Sequence, residues 1–248
     1  MKFNTEKGKN MFYKKDYKTR MSDFDRNGKL SYEAIIEIIE TAGSNHSDSV
    51  NDNVIEGSRN GVAWILADWS ISILNRVDNI NKVTVTTWIR KTSSLATVFR
   101  NFIIADENGN EIVKAEGKSC LLDMRTGRLE RISEELVAAY EPEEKCVFET
   151  ALPRLRAPKE YTIETPLHIR RDDIDFNGHV HNTRYMSYAV EALPPQVYKA
   201  DDLHSVRIIY SKPVKENTKV IAKYAPTEDG HFVGIYSDGV LCTLIELK

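Results

Sequence analysis

Long apolar runs are missing from this chain of 248 residues. No stretch approaches the roughly 20 consecutive apolar residues that a membrane helix needs, so membrane insertion is not expected. Met1 to Arg20 holds seven Lys/Arg, two acids and no apolar segment. It does not read as a secretory signal, and a cytoplasmic location is expected. Cysteine is scarce: Cys120, Cys146 and Cys242 are odd in number and lack metal-ligand spacing, which argues against a disulfide framework. No metal and no cofactor are expected.

A strong excess of one charge is missing too. The formal net charge is −3, whereas a nucleic-acid binder should be distinctly basic. The charge is uneven, however, because the first twenty residues are basic. They read either as a solvated strand or arm, or as a landing patch in which Lys7, Lys9, Lys14, Lys15, Lys18 and Arg20 steer an acidic partner. With 41% hydrophobic residues there is material for one large domain or two ordinary ones, each with its own core.

What is present is a phrase written twice. Asp23-Phe24-Asp25-Arg26-Asn27-Gly28-Lys29-Leu30 returns 150 residues later as Asp173-Ile174-Asp175-Phe176-Asn177-Gly178-His179-Val180. Each copy runs into a helix-like stretch, SYEAIIEIIETAG or NTRYMSYAVEAL. Strand signals follow in both halves. KVTVTTWIR puts Val83, Val85, Thr87 and Ile89 on one face, VFRNFIIA is β-branched and aromatic, and Asn108-Gly109 and Asp229-Gly230 mark hairpins. Ser133 reads as the cap of a short helix ending near Tyr140. A charged, proline-bearing segment, 141–159, reads as a linker between units 1–140 and 160–248. A long apolar helix among antiparallel strands must be wrapped by them, so the expected class is α+β with that unit present twice.

DxDxNG before a helix also opens a calcium loop, but such a loop needs a bidentate Glu at its twelfth position. Counting from Asp23 and Asp173 gives Ala34 and Arg184 there. A tight turn that caps a helix suffices for the first copy. The second has His179 where the first has Lys29. An imidazole and the Asn177 amide beside a helix N-terminus form an environment suited to a developing oxyanion.

The run DDIDFNGHVHNTRYMSYAVEALP, Asp172 to Pro194, resembles the signature of the acyl-ACP thioesterases, double hot-dog enzymes that release fatty acids from acyl carrier protein. The resemblance implies a tandem hot-dog fold, each half a sheet wrapped around a central helix. It also implies thioester hydrolysis, with Asp175, Asn177 and His179 as the catalytic group. His179 would act as base with Asp175 behind it, and backbone N–H groups at Gly178, Val180 and His181 would hold the oxyanion. The first half would be the non-catalytic copy that binds the acyl chain, with Ile35, Ile39, Trp64 and Leu66 as tunnel candidates. Acyl carrier protein would meet Lys14, Lys15, Arg154, Arg156, Arg170 and Arg171. One departure stands out: where plant members carry an adjacent Glu-Cys pair, this chain has Pro213 and Val214. A cysteine nucleophile there is excluded, and a carboxylate must come from elsewhere, first from Asp175, then from Glu216 or Glu191. An acyl-CoA thioesterase and a non-catalytic acyl-binding protein are the alternatives, and either a monomer of tandem repeats or a homodimer is compatible.

Overall fold

The computed structural model describes residues 12–149, 153–200 and 202–248, so Lys7 and Lys9 lie outside the described residues. The first repeat contains β1 (Tyr13–Lys18), α1 (Tyr32–Ser49), α2 (Val54–Arg59), β2 (Val62–Ile73), β3 (Lys82–Ile89), β4 (Val98–Ala105), β5 (Glu111–Asp123), β6 (Arg128–Glu130) and α3 (Glu134–Ala139). The second contains β7 (Ile163–Leu167), α4 (Arg184–Ala192), α5 (Pro195–Ala200), β8 (Ser205–Tyr210), β9 (Val220–Thr227), β10 (Gly230–Ser237) and β11 (Val240–Leu247). Ser133 caps α3 by accepting the Leu136 N–H at 3.1 Å.

All these strands join one sheet, in the order β1-β3-β4-β5-β2-β8-β11-β10-β9-β7, with β6 on β5. Read outward from the centre, the two halves have the same strand sequence. They meet where β2 and β8 run antiparallel, Ser70 opposite Arg207. Each half thus covers the other's inner sheet edge, and β1 and β7 remain as the outer edges. This is the double hot-dog arrangement, α1 and α4 each lying in the curve of its half.

The halves do not keep separate cores. One buried cluster includes Ile35, Ile36, Ile38 and Ile39 of α1 together with Tyr185, Met186 and Ala189 of α4. Ion pairing reinforces the contact, since Glu33 takes Arg184 and the Ser187 hydroxyl. The helix read as ending at Gly43 continues to Ser49. Gly43 is a packing glycine: a Cβ there would stand 3.4 Å from both the Arg100 chain and the Phe102 ring. Gly117 is tighter, with a Cβ 2.7 Å from the Trp69 ring. Gly117→Ala should therefore lower stability by about 1–3 kcal/mol through overpacking, read as a lower denaturation midpoint.

The linker is not a free tether. Glu143 N–H donates to Ile89 O at 2.9 Å, Val147 N–H to Asn101 Oδ1 at 2.8 Å, and Arg207 donates to Pro153 O at 2.7 Å.

Candidate active site

The duplicated phrase folds identically in both copies. Asp25 Oδ1 accepts the N–H groups of Asn27 and Lys29 at 2.8 and 3.1 Å, and Asp175 Oδ1 accepts those of Asn177 and His179 at 2.9 and 3.1 Å. Gly28 and Gly178 both take positive φ, 74° and 77°, conformations that favour glycine. The carboxylates a calcium loop would aim at an ion hold the turn instead.

The copies part company at the neighbouring loop. Leu30 N–H donates to Val77 O, and Val180 N–H to Val214 O, which makes Arg76 and Pro213 equivalent positions. Arg76 binds Asp25 Oδ2 in a mostly buried ion pair. Pro213 can do nothing of the kind, so the second carboxylate oxygen of Asp175 has no hydrogen-bond partner among the described residues. Arg76 ties the first copy down as a structural turn, and the second has a carboxylate oxygen unpaired among the described residues and an imidazole.

Two expectations need correction. No hydrogen bond joins the His179 imidazole to Asp175, whose Oδ1 is engaged by main-chain amides. The expected oxyanion donors are also occupied. Gly178 N–H donates to Asp175 O at 3.0 Å, Val180 N–H to Val214 O at 2.9 Å and His181 N–H to Asp173 O at 2.8 Å. An N–H already satisfied inside a tight turn cannot meet a substrate oxygen without breaking that bond. The next amide, Asn182, makes no such bond among the described residues, and Tyr210 OH holds its carbonyl at 3.1 Å. Asn177 is fixed differently: its Oδ1 accepts the Ser58 hydroxyl of α2 at 2.7 Å. That leaves the amide NH₂ of Asn177 as a donor. Nothing in the sequence pointed to α2 or Ser58.

Asn182 borders a cavity of about 160 Å³ inside the first half. Trp64, Leu66, Trp69, Ile89, Val98 and Phe102 give it apolar walls. Trp64 and Leu66 are thus on the wall, whereas Ile35 and Ile39 are not: at 1% and 0% exposure they pack into the core on another side of α1. Helical periodicity identifies a buried face without saying which part of it meets void and which meets side chains.

The far wall is polar. Arg100 approaches His46 Nδ1 at 2.7 Å and donates to Ser47 Oγ at 3.2 Å. Tyr140 OH donates to Asp52 and lies 2.8 Å from Ser47 Oγ, whose hydroxyl it can accept. Burial, joined by repulsion from Arg100, lowers the His46 imidazole to about 3. An unfolded histidine titrates near ~6.5, so on acidification the unfolded chain takes its proton first. The stability held by neutral His46 should decline progressively as pH falls below about 6.5. Urea midpoints measured across that range check this.

Where the cavity opens it shares Glu40 and Ser44 with a surface groove that Tyr17, Arg20, His181 and Thr183 also line. Glu40 Oε1 stands 3.8 Å from His181 Nε2. Thr183 Oγ1 and N–H lie 3.1 and 3.5 Å from His181 Nδ1. Burial raises the Glu40 carboxyl; His181 opposes the rise, and Glu37 and Asp175 add to it. Sequence reasoning missed Glu40, although Glu33, Glu37 and Glu40 form an i, i+4, i+7 stripe beside the isoleucines of α1.

The basic residues proposed to meet a carrier protein are not gathered at this mouth. Lys14 and Arg154 line two other hollows, Arg156 belongs to the linker, and Lys15 is exposed on edge strand β1. Arg170 forks onto Asp173, with Arg171 exposed beside it. The groove itself holds Arg20.

Residues 10–140 match the sequence model of the acyl-ACP thioesterase N-terminal domain, and residues 156–236 that of the acyl-ACP thioesterase C-terminal domain. The chloroplastic oleoyl-acyl carrier protein thioesterase of Coriandrum sativum is 25% identical over 252 residues, covering 91% of this chain and 65% of its own. The 12:0-ACP thioesterase from Umbellularia californica has a TM-score of 0.84 at 17% identity, covering 96% of this chain and 97% of that one. An acyl-ACP thioesterase from Bacteroides thetaiotaomicron gives 0.84 at 16%, with the same coverage. At these identities the two structures show a shared fold. The chain spans a little under two thirds of the length of this coriander relative and of an oleoyl-acyl carrier protein thioesterase of Arabidopsis thaliana, 65% and 64%.

Proposed function

The chain belongs to the acyl-ACP thioesterase family, and from that premise we propose that it hydrolyses fatty acyl-ACP, releasing the free acid from the phosphopantetheine thiol of acyl carrier protein. The observation that carries this reading is the apolar cavity of the first half opening beside Asn182, next to the second-copy turn. Residues 1–140 would bind the acyl chain and 160–248 would carry the catalytic motif, with 141–159 connecting them.

In this reading the thioester carbonyl lies at the mouth, its oxygen facing the Asn182 N–H and the Asn177 NH₂. Those donors bind most strongly to the charge that develops on oxygen in the transition state. His179 hands a proton to the departing sulfur. A thiol has a pKa near ~8.5, so thiolate leaves readily and a weak acid suffices. Arg20 at the groove, with Lys14, Lys15, Arg154, Arg156, Arg170 and Arg171 farther out, would attract the acidic carrier.

The cavity volume of about 160 Å³ is close to that of an engineered cavity of roughly 150 Å³ that holds benzene, so on the order of six carbons fit beyond the mouth. Thiol release from a ladder of butyryl to stearoyl carrier proteins should peak at medium chains. Equal or faster release from the matching acyl-CoA series, with no gain from the carrier, would make the protein an acyl-CoA thioesterase. Tight acyl binding with no release from any thioester would make it an acyl-binding protein.

A further inference from the structure

The carboxylate missing at Pro213 has a replacement across the junction of the two halves. We propose that Glu40, on α1 of the half that carries no catalytic motif, is the carboxylate that activates water, so that the active site is composite and neither half is sufficient alone. This rests on the thioesterase reading and supplies the one group that reading leaves unassigned.

Three observations carry it. First, Glu40 lies where the apolar-walled cavity and the polar groove adjoin, lining both. If the acyl chain occupies the cavity and the thiol arm the groove, the scissile carbonyl must sit at that junction. Second, the other two acids of its stripe are neutralised and this one is not. Glu33 is bound by Arg184 and Ser187, and Glu37 lies 3.3 Å from Arg20 and 3.9 Å from Arg184. Among the described residues Glu40 has no arginine or lysine partner, and its ion-pair contact is the His181 imidazole, 3.8 Å away. An arginine partner would hold a carboxylate permanently as an anion of low basicity, whereas an imidazole leaves it free to accept a proton. Third, the alternative carboxylates stand apart. Glu191 and Glu216 are exposed, Asp175 gives one oxygen, Oδ1, to the turn, and none of the three borders the cavity or the groove.

The step balances without a further reactant. Glu40 removes a proton from water as the water oxygen bonds to the carbonyl carbon. The tetrahedral oxyanion collapses, the carbon–sulfur bond breaks with its electron pair on sulfur, and His179 protonates the thiolate. Glu40 then returns its proton to His179 through solvent. Thioester and water become acid and thiol.

The test compares Glu40→Gln, Glu40→Asp, Glu191→Gln and Glu216→Gln with wild type on the best medium-chain acyl carrier protein, with a thermal melt of each. Glu40→Gln should lose on the order of 10²–10⁴ in kcat with KM little changed, the range for removing a general base. Its melting temperature should hold or rise, because a partly desolvated charge is removed. Glu40→Asp should recover part of the rate, and the two other variants should match wild type. A folded Glu40→Gln enzyme within a few-fold of wild type would overturn the assignment while leaving the thioesterase reading in place. A wild-type protein that releases thiol from no substrate would overturn both.

Discussion

Replacing Asn177 with Ala should cut kcat on acyl carrier protein thioesters by about 10²–10³, the effect of removing one preorganised oxyanion donor, with little change in KM. The effect originates at Ser58. Its hydroxyl donates to Asn177 Oδ1 at 2.7 Å, so the amide is held in one orientation and its NH₂ is directed away from that contact. A donor fixed before the substrate arrives need not reorganise when charge appears on the carbonyl oxygen, and this is the origin of its large effect on the barrier. Ser58→Ala should then lower kcat by a smaller factor, on the order of ten, because the amide remains but can rotate. Asn177→Asp should be as poor as Ala, since it places an acceptor against the oxyanion. Steady-state kinetics on folded variants decide the matter, and an Asn177→Ala enzyme with wild-type kcat would remove the side chain from the mechanism. His179→Ala should lose less than the donor variant, about 10²-fold at the low end for a proton-transfer group, because the thiolate departs readily.

The largest effect on stability should come from Asp173. Its side chain is 0% exposed and accepts four hydrogen bonds: Arg170 N–H at 2.9 Å, Arg170 Nε and NH2 at 3.1 and 2.8 Å, and Tyr188 OH at 2.8 Å. The backbone carbonyl of the same residue takes the His181 N–H at 2.8 Å, so this one residue positions the entry to α4. Asp173→Ala should cost about 3–5 kcal/mol, the range for breaking a buried pair and leaving its partners unsatisfied. The Arg170 guanidinium is largely exposed, 65%, which places the expectation at the lower end of that range. Chemical denaturation measures it. Burial alone would raise the Asp173 carboxyl, but hydrogen bonds from Arg170 and Tyr188 outweigh it and the net shift is downward. A carboxyl that is lower when folded stabilises above its unfolded value near ~3.9 and loses that contribution as pH falls through the folded value. Asp173→Ala should therefore flatten the acid limb of the stability profile.

Much of this protein is legible in its sequence. The repeated phrase announces a duplicated unit, because turn chemistry is local: Asp25 and Asp175 bind amides two and four residues ahead, and Gly28 and Gly178 supply the backbone angle. The strands, the α3 cap and the buried face of α1 follow from alternation and helical spacing, which are also local. The motif places Asn177 and His179 at the start of a helix for the same reason.

Tertiary structure decided the rest. Whether an N–H at a helix start is free depends on which distant carbonyl reaches it, and Val214 O closes off Val180 while Asn182 is left open. Arg76 silences Asp25 and Pro213 spares Asp175, a difference visible only once the two loops are superposed in space. Which isoleucine meets a core and which tryptophan meets a void depends on the volume left between α1 and β2, β4 and β5. Glu40 and His181 belong to different repeats and meet because the halves share one sheet and one core. Local preferences act over a few residues along the chain, whereas a site built from two repeats is fixed by packing between segments that the chain order keeps far apart.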